Sequence, residues 1–332
     1  MNKTICAVLI IIAVVLAAGC SGSQGITPSM PGGAYSGATP TPDAASWERD
    51  EYAEGMPAAY GAHAFVIKGI PYIIPGLPQE GETGYVRALK NEYEWLTVTA
   101  VNFRPREGAS SAQGPSDAFY GFGKNEDKKG IELFGDAYLY NGVSFTAISL
   151  DGPHKPRAYA AAYYYKDSYF VHGGSDRQGF LADIIKIGQK NGIRKAAESA
   201  AIPARAGHSA VAYRGKIYIA GGRSEKGLMN DVWVSDNGID FKAATLNASF
   251  PARENFVFMA YKDRMFVSGG RGEKGLLNDT WFSVDGVYWA RAAADSIYRP
   301  REYAASFVTK DYMAITCGRS DTRVYSDIWR AK

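Results

Sequence analysis

Arginine recurs in this chain at a fixed interval. Arg157, Arg205, Arg253 and Arg301 stand 48 residues apart, and Arg106 occupies nearly the same phase upstream. A second series, Arg223, Arg271 and Arg319, follows Gly222, Gly270 and Gly318 at the same interval, with Lys124 in the corresponding place upstream. A guanidinium is a planar fork of N–H donors that grips carboxylates and phosphates through bidentate, charge-assisted hydrogen bonds. Brought to one end of a closed fold, these eight arginines would suit an anionic glycan or an acidic peptide. Glu107, Glu225, Glu254, Glu273, Glu302, Asp176 and Asp321 lie in the same segments. They could equally hold the arginines in internal salt bridges, because a buried guanidinium needs a partner in either case.

Other chemistries find little support. The four histidines, His63, His154, His172 and His208, have no HExxH-type spacing, and there is no CxxC pair, so no metal site and no cofactor are expected. Glu225, Glu254, Glu302 and His208 lie where an acid or base could serve a sugar ring, but their spacing singles out none of them. The glycine pairs do not lead a strand into a helix, which argues against a phosphate-cradling loop. A net charge of +3 over 332 residues gives no electrostatic footprint for nucleic acid.

The arginines belong to a repeat that must position them. Paired glycines return at Gly173-Gly174, Gly221-Gly222 and Gly269-Gly270, and as Cys317-Gly318. Asp183, Asp231, Asp279 and Asp327 follow them, then Ile185, Trp233, Trp281 and Trp329, then Ile193, Phe241 and Trp289. The runs HSAVAY, KIYIAGG and DVWVSD and the segment after Phe241 are strand-like and separated by turn signals, so each unit supplies about four strands. The first hairpin turns at Lys166-Asp167, Arg214-Gly215, Lys262-Asp263 and Lys310-Asp311. Asn191-Gly192, Asn237-Gly238 and Asp285-Gly286 predict type I′ turns for the second. The second strand, as in Ile217-Tyr218-Ile219, is apolar on both faces and must be covered on both sides. Sheets stacked face to face in a ring provide that cover.

With Gly-Gly after the second strand, Asp-x-Trp in the third and an aromatic opening the fourth, the chain from about Arg157 to Trp329 resembles kelch-repeat proteins. The resemblance implies an all-β fold of propeller blades. Arg106, Gly121-Phe122-Gly123, Asp136, Asn141-Gly142 and Phe145 make a weaker copy with four extra residues in one loop, and His63, Gly69, Tyr72, Pro75-Gly76 and Trp95 a more degenerate one. The next fourth-strand aromatic after Trp289 would fall at 337, beyond Lys332, whereas one period before Trp95 lies Trp47. Trp47 is therefore expected to open the outer strand of the last blade, closing a six-bladed ring with an N-terminal strand and leaving no exposed inner edge. Strand alternation puts the loop into the first strand and the loop from second to third at one end, so both arginine series should point to one mouth. Kelch domains that bind acidic peptides use arginines at the start of the first strand in this way, which implies such a role for Arg106, Arg157, Arg205, Arg253 and Arg301. Galactose oxidase shares the fold, but its copper chemistry needs a crosslinked cysteine, and Cys317 here fills a glycine position. Another kelch family epimerises sialic acid. A binding or scaffolding module for a protein, peptide or carbohydrate is the expected function, with a sugar-acid epimerase or mutarotase as the alternative.

Residues 1–19 read as a signal peptide: Lys3, an apolar run from Ile5 to Ala18 too short to span comfortably, and small residues before Cys20. Leu16-Ala17-Ala18-Gly19-Cys20 resembles the lipobox of prokaryotic lipoproteins, which implies acylation of Cys20 and an extracytoplasmic, membrane-anchored protein. Residues 20–45 are rich in Ser, Gly, Pro and Thr and read as a flexible spacer, leaving residues 46–332 for the propeller. Of three cysteines only Cys317 lies in that domain, so no disulfide framework is possible there. With 46% hydrophobic and 13% aromatic residues, packing alone can hold it, and a monomer is expected.

Overall fold

A computed structural model describes residues 47–332 apart from 51–55, 57, 79–83, 92–93, 102, 150–153, 189–191, 198–200 and 294–295. The expected signal peptide, Cys20 and the spacer lie outside the described residues.

Every regular element among the described residues is a strand, and six antiparallel sheets have four strands each. Blade 1 runs His63–Ile67, Ile70–Ile74, Tyr85–Asn91 and Glu94–Ala100. Blade 4, from the most regular repeat, runs Ser209–Tyr213, Lys216–Ala220, Val232–Ser235 and Lys242–Thr245. Blade 6 takes Ala305–Val308, Met313–Thr316 and Ile328–Ala331 from the C-terminus and Glu48–Arg49 from the other end. Glu48 pairs with Arg330 and Arg49 with Trp329. Inner strands contact one another in sequence from blade 1 to blade 6, and blade 6 returns to blade 1, so the sheets form a closed ring.

Two-sided strands explain how the ring is held. Ile217 and Ile219 enter the apolar cluster shared with blade 3, while Tyr218 and Ala220, pointing the other way, enter the cluster shared with blade 5. One such cluster fills each of the six interfaces between blades. Trp47 is buried at the interface of blades 5 and 6, edge-on to Tyr298 at 5.7 Å.

The turns differ from expectation. Consecutive left-handed residues occur in the first hairpin, with φ of 41° and 62° at Lys166 and Asp167 and of 48° and 73° at Arg214 and Gly215. In the second hairpin Gly238 is left-handed but Asn237 is not, so no type I′ turn forms there. The reason is side-chain competition for the backbone. Ser235 Oγ accepts the Gly238 N–H at 2.8 Å and Asn237 Oδ1 accepts the Asp240 N–H at 2.8 Å, building a wider loop that lets Phe241 tuck into the core.

Candidate functional site

The loop into each first strand and the loop from second to third do share one end of the ring. Backbone bridges join Glu107 to Lys124, Ala158 to Ser175, Ala206 to Arg223, Glu254 to Arg271 and Glu302 to Arg319. The two arginine series nevertheless part company there.

The five arginines that open the repeats are not open to a ligand. Arg106, Arg157, Arg205, Arg253 and Arg301 are completely buried. Arg205 Nη1 and Nη2 donate to the two oxygens of Asp231 at 2.7 Å each, Nη1 also to the Gly221 carbonyl at 2.9 Å, and Nε to the Pro203 carbonyl at 3.0 Å. Trp233 Nε1 donates to the same carboxylate at 2.7 Å. Arg106, Arg157, Arg253 and Arg301 repeat the bidentate grip on Asp136, Asp183, Asp279 and Asp327. This corrects the expectation of a ligand role for them: the arginine, aspartate and tryptophan landmarks of the repeat are one internal staple, and a buried guanidinium with a bidentate carboxylate has no fork left to offer. Burial by itself would raise the Asp279 pKa, but the hydrogen bonds and charge of Arg253 outweigh it and hold the carboxyl below its ordinary value. Asp327 with Arg301 and Asp136 with Arg106 behave alike.

The second series does reach the rim. Arg223 grips Glu254 of the next blade through Nε and Nη2 at 3.0 and 2.9 Å. Arg271 holds Glu302 of the next blade at 3.0 Å and Asp321 at 2.6 Å. Arg319 lies over the rings of Tyr60 at 4.5 Å and Tyr303 at 4.9 Å, with its Nε 3.4 Å from Glu302. Lys124 Nζ is 3.1 Å from Glu107. Four cations thus meet four carboxylates, Glu107, Glu254, Glu302 and Asp321.

At the centre of the mouth six residues share one backbone state. Gly61, Gly108, Tyr159, Gly207, Asn255 and Tyr303 all have φ between 55° and 67°. Main-chain hydrogen bonds link neighbours around the axis: Gly61 N–H to Tyr303 O, Tyr303 to Asn255, Asn255 to Gly207, Gly207 to Tyr159, and Tyr159 to Gly108, at 2.7–3.1 Å. Left-handed φ is cheap for glycine alone. Gly108 has a further reason to be glycine, since a Cβ there would come within 2.6 Å of the Tyr159 ring. Tyr159 and Tyr303 come from opposite blades and meet with centroids 5.9 Å apart. Tyr159 Oη donates to Glu107 at 2.8 Å. Burial, then the neighbouring Tyr303 and Glu107, pushes the Tyr159 phenol far up, and burial with Glu302 and Glu107 does the same to Tyr303. Both phenols are protonated donors at any physiological pH. Tyr159, Tyr303 and Asn255 stand out in the sequence as R-x-Tyr and R-x-Asn in place of R-x-Gly after Arg157, Arg301 and Arg253, a signal that the repeat of the arginines alone does not carry.

Along the axis inside the ring lies a cavity of about 250 Å³, lined mostly by the small residues of the inner strands. His208, which lines it, is buried against His172 with Nε2 and Nδ1 2.9 Å apart. Burial, followed by the charges nearby, lowers His172 to about 3 and holds His208 well below its ordinary value. Burial alone lowers His63 to about 4. The four acid–base candidates do not converge: Glu302 is enclosed by Arg271, Arg319 and Asn255, Glu254 holds Arg223, Glu225 is exposed on a hairpin, and His208 faces His172. Among the described residues no three His, Cys, Asp or Glu side chains gather as metal ligands.

Residues 196–332 match the family model described as the KLHDC2/KLHL20/DRC7 Kelch-repeats domain. The solved structure titled "Structure of YjhT" superposes with a TM-score of 0.66 over 82% of this chain and 94% of that one, at 17% sequence identity. No curated protein matches the sequence. The likeness in fold, with the repeat match, makes this chain an all-β, six-bladed kelch-type propeller.

Proposed function

We propose that this protein is a binding module, lipid-anchored through Cys20 outside the cytoplasm, whose propeller takes a small acidic sugar at the rim formed by Arg223, Arg271 and Arg319. The observation that carries this reading is the placement of Arg319, 34% exposed and flanked by Tyr60 and Tyr303 beside the channel mouth. Weakly hydrated, aromatic-flanked guanidinium is well suited to a carboxylate. The carboxylates already paired with these cations favour a ligand with a single carboxylate over a polyanion, because Glu107, Glu254 and Glu302 would repel a run of acids. Asp321, 70% exposed, is the partner of Arg271 that an incoming carboxylate can most readily displace.

Calorimetric titration with methyl β-D-glucuronide against methyl β-D-glucoside tests this. The acid should bind more tightly, and Arg319→Ala should weaken it about 10–100-fold without lowering Tm, the range for a hydrogen bond to a charged group. Equal affinity for acid and neutral sugar, or an unaffected Arg319→Ala variant, refutes the acidic ligand. For the anchor, wild type should partition with detergent and Cys20→Ala should not; wild type wholly in the aqueous phase refutes lipidation. The epimerase alternative has the Tyr159–Glu107 hydrogen bond in its favour, and NMR exchange between the anomers of glucuronic acid, accelerated by the protein, would establish it.

A further inference from the structure

We infer that Tyr159 and Tyr303 are the specificity-determining floor of the mouth, an aromatic platform across the channel axis on which the face of a pyranose ring stacks. The inference deepens the sugar reading and rests on it. Three observations meet here. At six equivalent positions the backbone is left-handed, and three blades use the residue that conformation favours, Gly61, Gly108 and Gly207. Blades 3 and 6 instead hold tyrosines there at φ of 59° and 55°, a conformation that bulky residues resist. A bulky side chain kept in such a state points to a local role that outweighs the strain.

The second observation is where the strained residues meet. Opposed blades carry them to the axis, where their rings lie 5.9 Å apart at 37°, and Tyr60 extends the aromatic surface 6.4 Å from Tyr303. Tyr60 and Tyr303 are half-buried, while Tyr159 is half-buried likewise. The third is the polar surround: Glu107 beside the Tyr159 hydroxyl, Glu302 and Asn255 bonded to each other, and Arg319 against Tyr303. An aromatic surface ringed by acceptors and donors matches a pyranose, which has a C–H face and a hydroxyl edge.

The test uses both glycosides named above, because stacking acts on either and charge only on one. Tyr159→Asn and Tyr303→Asn place at these positions a residue that tolerates the left-handed state and already occupies it at Asn255. Each should lose about 10-fold in affinity for the neutral and the acidic glycoside alike, while Tyr159→Phe and Tyr303→Phe, which keep the ring, stay within about 3-fold of wild type. Affinity is read well below each variant's Tm, so a purely structural role would lower Tm and leave binding by the folded protein intact. Asn variants that bind as wild type, Phe variants that lose as much as Asn variants, or a wild type that binds neither glycoside would overturn the platform. Loss of acid preference in Arg319→Ala leaves it standing, and an Arg319→Ala variant with no effect overturns only the charge reading.

Discussion

Removing one arginine of the internal staple should unfold the protein more easily and leave binding alone. In Arg205→Ala the buried side chain, 0% exposed, takes with it two bonds to Asp231 and two to main-chain carbonyls of residues 203 and 221. Asp231 then keeps Trp233 Nε1 as its remaining side-chain donor, and a carboxylate that is itself buried loses its counter-charge. Stranding one member of a buried ion pair costs about 3–5 kcal/mol. At roughly 2–4 °C per kcal/mol for a chain of this order of size, Tm should fall by about 6–20 °C. Replacing both partners, as Arg205→Met with Asp231→Leu, should cost less than the two single changes summed, because no lone charge remains. The assay is thermal unfolding of the single and double variants, beside titration with the acidic glycoside at a temperature where all are folded. An unchanged Tm for Arg205→Ala together with lost sugar binding would refute the staple and restore Arg205 to the ligand site.

Trp47→Ala should cost about 3–5 kcal/mol, the range for truncating a buried aromatic, because Trp47 fills the interface of blades 5 and 6 where the chain ends join. An unchanged unfolding midpoint would show that ring closure does not depend on it. Stability should also fall as pH drops from about 6.5 toward 4: His63, His172 and His208 are held neutral by burial, so the unfolded chain takes up protons first, and stabilisation present above the unfolded value is lost on acidification. For His63, lowered to about 4, the full loss is roughly 3 kcal/mol. The staple carboxylates Asp136, Asp279 and Asp327 stay ionised over that window and add their own loss only below their ordinary value, as pH falls toward their lowered pKa values. A Tm equal at pH 7 and pH 4.5 would contradict the buried neutral histidines.

The number and phase of the blades were legible in the sequence, because each blade needs the same backbone at the same place. Glycines at the second-strand end, a two-sided apolar second strand and an aromatic opening the fourth are local requirements, and local requirements repeat with the chain. Trp47 could be assigned to the last blade for the same reason: a ring has no spare edge, and the period leaves one strand unfilled. What the period cannot do is tell a staple from a site. Arg205 and Arg223 recur with equal regularity, yet one is sealed against Asp231 and the other stands 42% exposed at the rim. The difference lies in how two loops fold against each other in space, bringing Asp231 back to Arg205 across 26 residues. The mouth depends more on tertiary structure still. That Tyr159 and Tyr303 depart from the repeat can be read from residue types, but only closure of the ring sets blades 3 and 6 opposite each other, so that two side chains 144 positions apart in sequence become one surface.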